Sequence, residues 1–227
     1  MSAESGLLSL RKMVDEMRSK LNRPDLDIDF VSIEKFEDIE EVYLMLKNSN
    51  TTGYDAVGMD SLTELQKVCM DKILRDEHID KARIQDWGTL NNRMVAMLRA
   101  FRDLDMHFIV TALAASEKDE DTQTFVNRPL VQGQLQNTLA GYFDEVFFIH
   151  AVETVNAEGR PETKRWLQTS STAKHQAKDR SGMLPRECPA SFAWVLGKIM
   201  QLRPEQPAQP QNEAASAPSP TNQGATQ

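Results

Sequence analysis

The segment YDAVGMDSLTEL, Tyr54 to Leu65, decides the fold class of this chain. A short apolar run ends at Asp60 and Ser61, and the apolar residues that follow recur at helical spacing. A strand that leads directly into a helix is typical of an α/β protein. In such proteins, the carboxyl ends of the sheet strands gather the reactive groups. We therefore expect Asp60 and Ser61 to lie at a functional edge of a sheet, close to Thr111 at the end of a later strand.

Helical and strand patterns alternate on both sides of this segment. Amphipathic spacing predicts helices over residues 6–21, 35–47, 62–73, 87–104 and 190–202. Strands are predicted at 28–33, 54–59, 106–114, 143–152 and 164–170. The apolar run 106–114 is typical of a strand buried on both faces, whereas 116–136 is predicted to be a long polar loop. The order predicts an α/β sheet that is parallel in its centre, with antiparallel strands towards the C-terminus.

The length of the chain limits its number of domains, and its net charge limits its binding partners. Its 227 residues fit one domain, 1–202, followed by a Pro-, Gln-, Ala- and Ser-rich tail, 203–227, whose composition predicts disorder. Its 26 basic and 34 acidic residues give a net charge of -8, so the molecule as a whole does not attract polyanions. Any contact with nucleic acid must therefore be local.

The cysteines and the hydropathy pattern indicate the cellular compartment of the protein. Cys69 and Cys188 are far apart and outside any CxxC spacing, which argues against a disulfide framework and a zinc site. No apolar run approaches the roughly 20 residues that span a bilayer, and the N-terminus lacks the pattern of a signal peptide. We expect a cytoplasmic protein without membrane contact.

Asp60 and Ser61 allow two interpretations. Each is a good helix N-cap, and the helix that begins at Leu62 needs one. The alternative is that Asp60 accepts a hydrogen bond from water on Mg²⁺, while Ser61 contacts a nucleotide whose phosphates complete the metal shell. A hydrophobic strand that ends in Asp is common, so this motif does not decide between the two.

The order of several further segments along the chain indicates a protein family. AESGLLSLR, YDAVGMDSLTEL, RPLVQGQLQNTLAGYFDEV and AKDRSGMLP are the most specific of them. Over about residues 1–186 the chain resembles RecA-type P-loop ATPases of the AAA kind, and more closely the phage-encoded RecA-like proteins linked to single-strand annealing and recombination. The resemblance implies ATP and Mg²⁺ as cofactors, single-stranded DNA as partner and a homo-oligomer with nucleotide between subunits. Other recombination or single-strand-binding proteins are further partners of this kind.

The resemblance also implies roles for particular residues. Glu4 matches the glutamate that polarises the attacking water, Asp60 the Walker B aspartate and Thr111 the polar residue that senses the terminal phosphate. Lys178 and Arg180 match basic side chains that contact phosphates, including those of a neighbouring subunit. Without the resemblance, Glu4 is a solvated surface acid, Thr111 a β-branched strand residue and the two cations part of a solvated charge cluster.

One element of this family pattern is missing. A P-loop requires GxxxxGK[ST], and no segment matches it; the single Gly-Lys pair, Gly197-Lys198, is followed by Ile199. We interpret the sequence as lacking its N-terminal Walker A strand, loop and helix. The full-length protein is then expected to hydrolyse ATP, whereas the chain as printed should bind ATP poorly or not at all.

A basic segment supports a second class of function. Residues 160–186 contain seven Lys or Arg and two acidic residues, with Trp166 and His175 among them. Basic groups beside an aromatic ring suit single-stranded nucleic acid. The predicted contacts are Arg128, Lys164, Arg165, Trp166 and Lys174. The competing hypothesis is therefore a non-catalytic single-strand-binding or assembly module, and a third is a remnant that folds poorly.

Overall fold

A computed structural model describes residues 12, 14–19, 22, 28–48, 53–118 and 123–201. The chain folds into two compact units. The first unit comprises Met1–Ala115 and Pro129–Tyr142, and the second comprises Ser116–Arg128 and Phe143–Gln227. Helical residues 14–19 belong to the predicted first helix, whose other parts lie mostly outside the described residues. Glu4 and the tail 203–227 also lie outside them.

Helices and strands alternate in the first half of the described chain, and strands dominate the second. Their order is α1 (Phe36–Asn48), β1 (Ala56–Met59), α2 (Leu62–Asp76), α3 (Ile84–Arg102), β2 (His107–Val110), β3 (Ala114–Lys118), β4 (Phe125–Pro129), α4 (Gln134–Thr138), a 3₁₀ helix (Leu139–Tyr142), β5 (Glu145–Val146), β6 (Phe148–Val155), β7 (Pro161–Gln168), β8 (Lys178–Asp179), β9 (Glu187–Pro189) and α5 (Phe192–Gln201).

A parallel strand pair organises the first unit. β1 and β2 pair in parallel, from Ala56 opposite His107 to Met59 opposite Val110. Parallel neighbours require a long crossover, which α2 and α3 supply here. The alternation of strand and helix predicted around Asp60 is therefore confirmed in this part of the chain.

The core of the first unit lies between its helices and one face of this strand pair. Leu62, Met94 and Leu98 are fully buried. Phe101 of α3 stacks on Phe108 of β2 with ring centroids 5.5 Å apart. Burial of each such side chain contributes about 1.5–3 kcal/mol, so the apolar stripes of α2 and α3 fix the position of the strand ends.

One strand prediction in this unit is wrong, and another is confirmed in position but not in its burial. Residues 106–114 contain a four-residue strand whose side chains alternate between half-buried and exposed, with Ile109 38% exposed. Such alternation is typical of a sheet that is covered on one face. Residues 28–33 have no regular secondary structure, and Phe30 and Val31 are exposed. An apolar, β-prone sequence does not form a strand without a neighbour to pair with, and 28–33 joins none of the four sheets of the described chain.

Antiparallel strands form the main sheet of the second unit, in the order β6-β7-β9. The hairpin between β6 and β7 turns at residues 156–160, where Gly159 has φ of 75° and Asn156 Oδ1 accepts the Arg160 N–H at 2.8 Å. The α5 helix packs on one face of this sheet, where Leu167, Cys188 and Val195 form a buried cluster. The predicted hairpin and the closing helix are confirmed, with strands at 148–155 and 161–168 in place of 143–152 and 164–170.

The prediction of one long loop over 116–136 is wrong. This segment contains the end of β3, all of β4 and the start of α4, and β3 pairs with β4. Its many polar residues suggested a loop, but β3 is largely exposed and β4 half-buried, and a two-stranded ribbon of this kind tolerates polar side chains. The predicted mainly parallel sheet also differs from the described chain, where β1 and β2 form a parallel pair and β5 to β9 are antiparallel.

The sequence predicts neither a disulfide nor a membrane-spanning helix, and the structure bears on both points. Both cysteines are free thiols. Burial raises the pKa of the Cys69 thiol to about 12. Among the described helices, none is both long and apolar enough to cross a bilayer.

Candidate nucleotide site and basic face

The ends of β1 and β2 bring Asp60 and Thr111 together. Thr111 Oγ1 donates a hydrogen bond to Asp60 Oδ1. The backbone continues the strand pairing at this point, since Thr111 N donates to Met59 O at 3.0 Å and Leu62 N donates to Thr111 O at 2.8 Å. The peptide bond between Asp60 and Ser61 is cis. The predicted meeting of two polar strand-end residues at one edge therefore exists in the structure.

Ser61 acts as a helix cap. Its Oγ accepts the N–H of Glu64 at 3.3 Å, which satisfies one of the free amide groups in the first turn of α2. The capping interpretation thus holds for Ser61. Asp60 makes a different contact, because its carboxylate accepts from Thr111 rather than from the helix.

Two buried polar side chains of α2 fix the segment that follows Thr111. Thr63, 1% exposed, donates from Oγ1 to Leu130 O and accepts the Leu113 N–H, both at 3.0 Å. Gln66, 6% exposed, donates to Leu130 O at 3.3 Å and accepts the Gln132 N–H at 2.8 Å. Buried polar groups of this kind are costly unless they are paired. They therefore hold residues 113 and 130–132 against the start of α2.

The contacts of Thr63 and Gln66 with residues 113 and 130–132 form a buried clamp. Sequence reasoning missed this clamp, although a signal was present. Thr63 and Gln66 are three residues apart and follow directly after Leu62 and Leu65, so they lie beside the apolar stripe of α2. Polar residues at the border of a buried stripe need partners on another segment. The identity of that segment depends on tertiary structure, which the sequence pattern did not reveal.

The edge formed by Asp60 and Thr111 is accessible. Both residues are exposed, so water and a hydrated cation can reach the carboxylate. Mg²⁺ keeps several waters and binds through one or two carboxylates together with substrate phosphates. An exposed strand-end carboxylate held by a threonine hydroxyl is suited to that outer-sphere role. Glu4, which the resemblance matches to the glutamate that polarises the attacking water, lies outside the described residues, and its role stays a prediction.

Lys178 and Arg180, the predicted phosphate contacts, belong to the second unit. Lys178 Nζ donates to Phe143 O at 2.6 Å. Arg180 forms an ion pair with Asp144 at 2.6 Å, although its side chain is 62% exposed. An exposed pair of this kind contributes little free energy, so Arg180 can exchange Asp144 for another anion at small cost.

A pair of carboxyl groups lies beside these cations in the β5–β8 strand pair. Glu145 of β5 and Asp179 of β8 are cross-strand neighbours. Burial, and then the charge of Asp179, raises the pKa of Glu145 to about 7. Burial opposes ionisation of Asp179, but hydrogen bonds from Ser181 Oγ at 2.5 Å and Leu184 N at 2.9 Å outweigh it and lower its pKa. Asp179 thereby organises the turn that carries Arg180.

The predicted nucleic-acid contacts are divided between two faces of the antiparallel sheet. Successive residues of a strand point to opposite faces, so Lys164 and Trp166 of β7 lie on one face and Arg165 lies on the other. Arg128 and Lys174 are on β4 and on the loop 171–177. The backbone joins these two segments, because Asn127 N donates to Lys174 O at 2.7 Å.

Aromatic rings that the sequence analysis did not select accompany Trp166. His150 lies directly opposite Trp166 in the β6–β7 register. Phe148, on the same face, stacks on His175 with ring centroids 4.3 Å apart and on His150 at 6.5 Å. A period-two pattern in FFIHAV was visible in the sequence, but the register that places His150 opposite Trp166 depends on the hairpin turn.

The fold is that of a mixed α/β protein with an exposed carboxylate, Asp60, and a threonine hydroxyl, Thr111, at the end of a parallel strand pair. Comparison with known families agrees with this class, because the sequence profile described as an AAA domain matches residues 16–181. The chain belongs to the AAA domain family, whose P-loop NTPase members bind nucleotide together with Mg²⁺. Neither curated proteins nor solved structures gave a significant match.

Proposed function

We propose that this chain is an ATP-binding, RecA-like AAA protein that acts on single-stranded DNA in recombination or strand annealing, as a homo-oligomer. Mg-ATP lies at the carboxyl ends of β1 and β2 in this proposal. The observation that carries it is the contact between Thr111 and the Asp60 carboxylate at that edge. A phage origin and further recombination or single-strand-binding proteins as partners are part of the same proposal.

The roles follow from the chemistry of the two side chains. Asp60 accepts hydrogen bonds from the waters of a nucleotide-bound Mg²⁺. The single hydroxyl hydrogen of Thr111, donated to Asp60 in the structure, is donated to a terminal phosphate oxygen when nucleotide is bound in this proposal. Phosphoryl transfer depends mainly on positioning and charge stabilisation, so two fixed polar groups at this edge suit a Walker B aspartate and a phosphate sensor.

The sequence of this chain differs from that of a typical P-loop protein in its phosphate-binding motif. None of the 227 residues forms GxxxxGK[ST], the motif whose amides and lysine hold the phosphates. We therefore expect the 227-residue chain to bind Mg-ATP weakly, and we expect this weak binding to depend on Asp60 and on Mg²⁺. A nucleotide affinity that ignores both would have another origin.

The test is a titration of a fluorescent ATP analogue with the 227-residue chain, with and without Mg²⁺. Asp60→Asn is expected to remove the part of binding that requires Mg²⁺. Asp55→Asn is the matched control, because Asp55 is an exposed aspartate at the opposite end of β1. Equal binding by the parent chain and Asp60→Asn at all Mg²⁺ concentrations would refute the assignment.

A second candidate function is a non-catalytic module that binds single strands or supports assembly. The absence of GxxxxGK[ST] in the sequence favours it, as do the exposed Lys164 and Arg165 on the β6–β7 hairpin. Binding of single strands that weakens with salt and does not respond to ATP would support this candidate. ATP-stimulated binding would instead favour the nucleotide-dependent proposal.

A further inference from the structure

We propose that Phe148, His150, Trp166 and His175 form a stacking platform for unpaired nucleobases, and that the adjoining cleft beside Arg128 receives the backbone phosphates of the same strand. This inference rests on the proposed action on single-stranded DNA and assigns that binding to one face of the second unit. It adds Phe148, His150 and the cleft beside Arg128 to the two rings, Trp166 and His175, that the basic segment of the sequence contains.

Sheet geometry places the first three rings on one face. Phe148 and His150 are two residues apart on β6, so their side chains point the same way. His150 and Trp166 are register partners in the β6–β7 ladder, and directly opposed residues share a face. Because directly opposed residues in an antiparallel ladder lie about 4.5–5.5 Å apart, a ring from each strand is within reach of one base.

The fourth ring comes from the loop 171–177. His175 stacks on Phe148 at 4.3 Å with an interplanar angle of 28°. Several hydrogen bonds fix this loop, including Thr172 Oγ1 accepting the His175 N–H at 3.0 Å and Ser171 Oγ donating to Ala177 O at 2.7 Å. Burial, and then the nearby His150 and Lys174, lowers the pKa of His175. The lowered pKa favours the neutral form of the imidazole that stacks on the phenyl ring.

The platform lies on the face that α5 does not cover. Leu167, which packs in the buried cluster with Cys188 and Val195, points to the opposite face from its neighbour Trp166. Trp166, Phe148 and His150 are half-buried rather than enclosed. A half-exposed ring keeps a surface available for stacking, whereas an ordinary core aromatic ring does not.

A cleft of about 340 Å³ continues from the platform through His175. Its described lining has more apolar than polar surface, and it includes hydroxyl groups and one cation but no carboxylate: Thr124, Val126, Arg128, Ser171, Thr172, Ala173, His175 and Gln176. Guanidinium and hydroxyl groups recognise phosphate oxygens. Lys164 lies on the platform face two residues from Trp166, so basic groups adjoin the rings at both ends.

Stacked rings flanked by cations are the arrangement that binds single strands without sequence preference, since every base offers a π-face. Duplex bases are already stacked on one another and cannot use such a platform. The proposal therefore predicts binding that needs bases as well as phosphates, and that prefers single strands to duplex.

The experiment compares the affinity of the 227-residue chain for two fluorescent strands of about 20 nucleotides, oligo(dT) and an abasic strand of equal length and charge. Oligo(dT) is expected to bind at least about fivefold tighter, because removal of one stacked base costs about that much. Trp166→Ala is expected to weaken oligo(dT) binding to near the abasic level and to leave abasic binding unchanged. Arg128→Gln is expected to weaken both and to reduce the salt dependence.

Trp87→Ala is the matched control, because Trp87 lies on α3 of the other unit and is 42% exposed. Trp166→Phe covers the case in which Trp166→Ala does not fold. It keeps a stacking ring, so affinity is expected to be retained while quenching of tryptophan fluorescence by oligo(dT) is lost.

Equal affinity for oligo(dT) and the abasic strand would overturn the platform, as would an effect of Trp166→Ala no larger than that of Trp87→Ala. Either result would leave the nucleotide proposal at Asp60 intact, because that proposal is read out by Mg²⁺-dependent ATP binding. No binding of either strand would overturn the platform together with the proposed action on DNA.

Discussion

Thr111 donates its hydroxyl hydrogen bond to the carboxylate of Asp60, and this contact joins the carboxyl ends of the two parallel strands β1 and β2. The two residues are far apart in the chain, because α2 and α3 lie between β1 and β2. Replacement of Thr111 by Val keeps its shape and removes the donor. We expect Mg²⁺-dependent ATP binding to weaken severalfold and the free energy of unfolding to change by less than about 1 kcal/mol, since the hydrogen bond is exposed.

The measurement is the same nucleotide titration, accompanied by a thermal melt. Thr89→Val on the exposed side of α3 is the control for the general effect of this replacement. If Thr111→Val bound Mg-ATP as the parent chain does, the hydroxyl would have no part in nucleotide binding.

The buried clamp at Thr63 predicts a larger effect on stability. Thr63→Val removes the acceptor of the Leu113 N–H and one of the two donors to Leu130 O, which keeps Gln66, from a side chain that is 1% exposed. Leaving buried groups without partners costs about 1–3 kcal/mol. Denaturant unfolding should therefore show a loss of about 2 kcal/mol for Thr63→Val. A loss no greater than that of Thr89→Val would show that the clamp does not contribute to stability.

The Glu145–Asp179 pair predicts a pH dependence of stability. The pKa of Glu145 rises from its ordinary value of 4.5 to about 7 in the folded chain, first through burial and then through Asp179. Between these values the folded state keeps a proton that the unfolded state has released, so stability falls as pH rises from about 4.5 to about 7. The lowered pKa of Asp179 acts only at lower pH.

Glu145→Gln removes this titration. We expect the variant to be more stable than the parent chain at pH 8, by about 1 kcal/mol after allowance for solvent screening. At pH 4.5 the two should be nearly equal. Glu158→Gln in the exposed hairpin turn is the control. A parent and variant with parallel stability curves between pH 4.5 and 8 would contradict the assignment.

Two glycines, one in a turn and one in a helix, test the backbone conformation of these two elements. Gly159 in the β6–β7 turn has φ of 75°, where a side chain is strained, whereas Gly88 lies inside α3 with open space where a Cβ would stand. Gly159→Ala should lower the free energy of unfolding by about 1 kcal/mol, and Gly88→Ala should raise it by about 0.5–1 kcal/mol. Thermal melts of the two variants measure both; a stabilising Gly159→Ala would show that the turn has another conformation.

The sequence allowed the prediction of elements with strong local signals. Helical periodicity marked α1, α2, α3 and α5, and the apolar run before Asp60 marked β1. The meeting of Asp60 with Thr111 also followed from a general property of parallel strands. Strand 28–33 was a wrong prediction because β propensity says nothing about whether a pairing partner is present.

Other parts of the site could not be predicted because they depend on long-range register. Polar composition hid the β3–β4 ribbon, and the partners of Thr63 lie on a segment far along the chain. His150 became a neighbour of Trp166 through the β6–β7 register, which a shift by one residue would have moved to the opposite face. Local patterns located the strand ends, but they did not locate the segments packed against them.

The central claim is that a metal-bound nucleotide lies at the edge formed by Asp60 and Thr111. In an NMR spectrum, Mn²⁺ added with ATP in place of Mg²⁺ broadens the amide resonances of residues close to the metal. This broadening can be detected even when the nucleotide binds weakly. Asp55 and Asp60 are about 16 Å apart along β1 at roughly 3.3 Å per residue, so the two ends of the strand can be distinguished. We predict broadening of Ser61, Leu62 and Thr111 that Asp60→Asn abolishes, with Asp55 and His107 unaffected. Broadening centred on Asp55 and His107, or none at either end, would contradict the account.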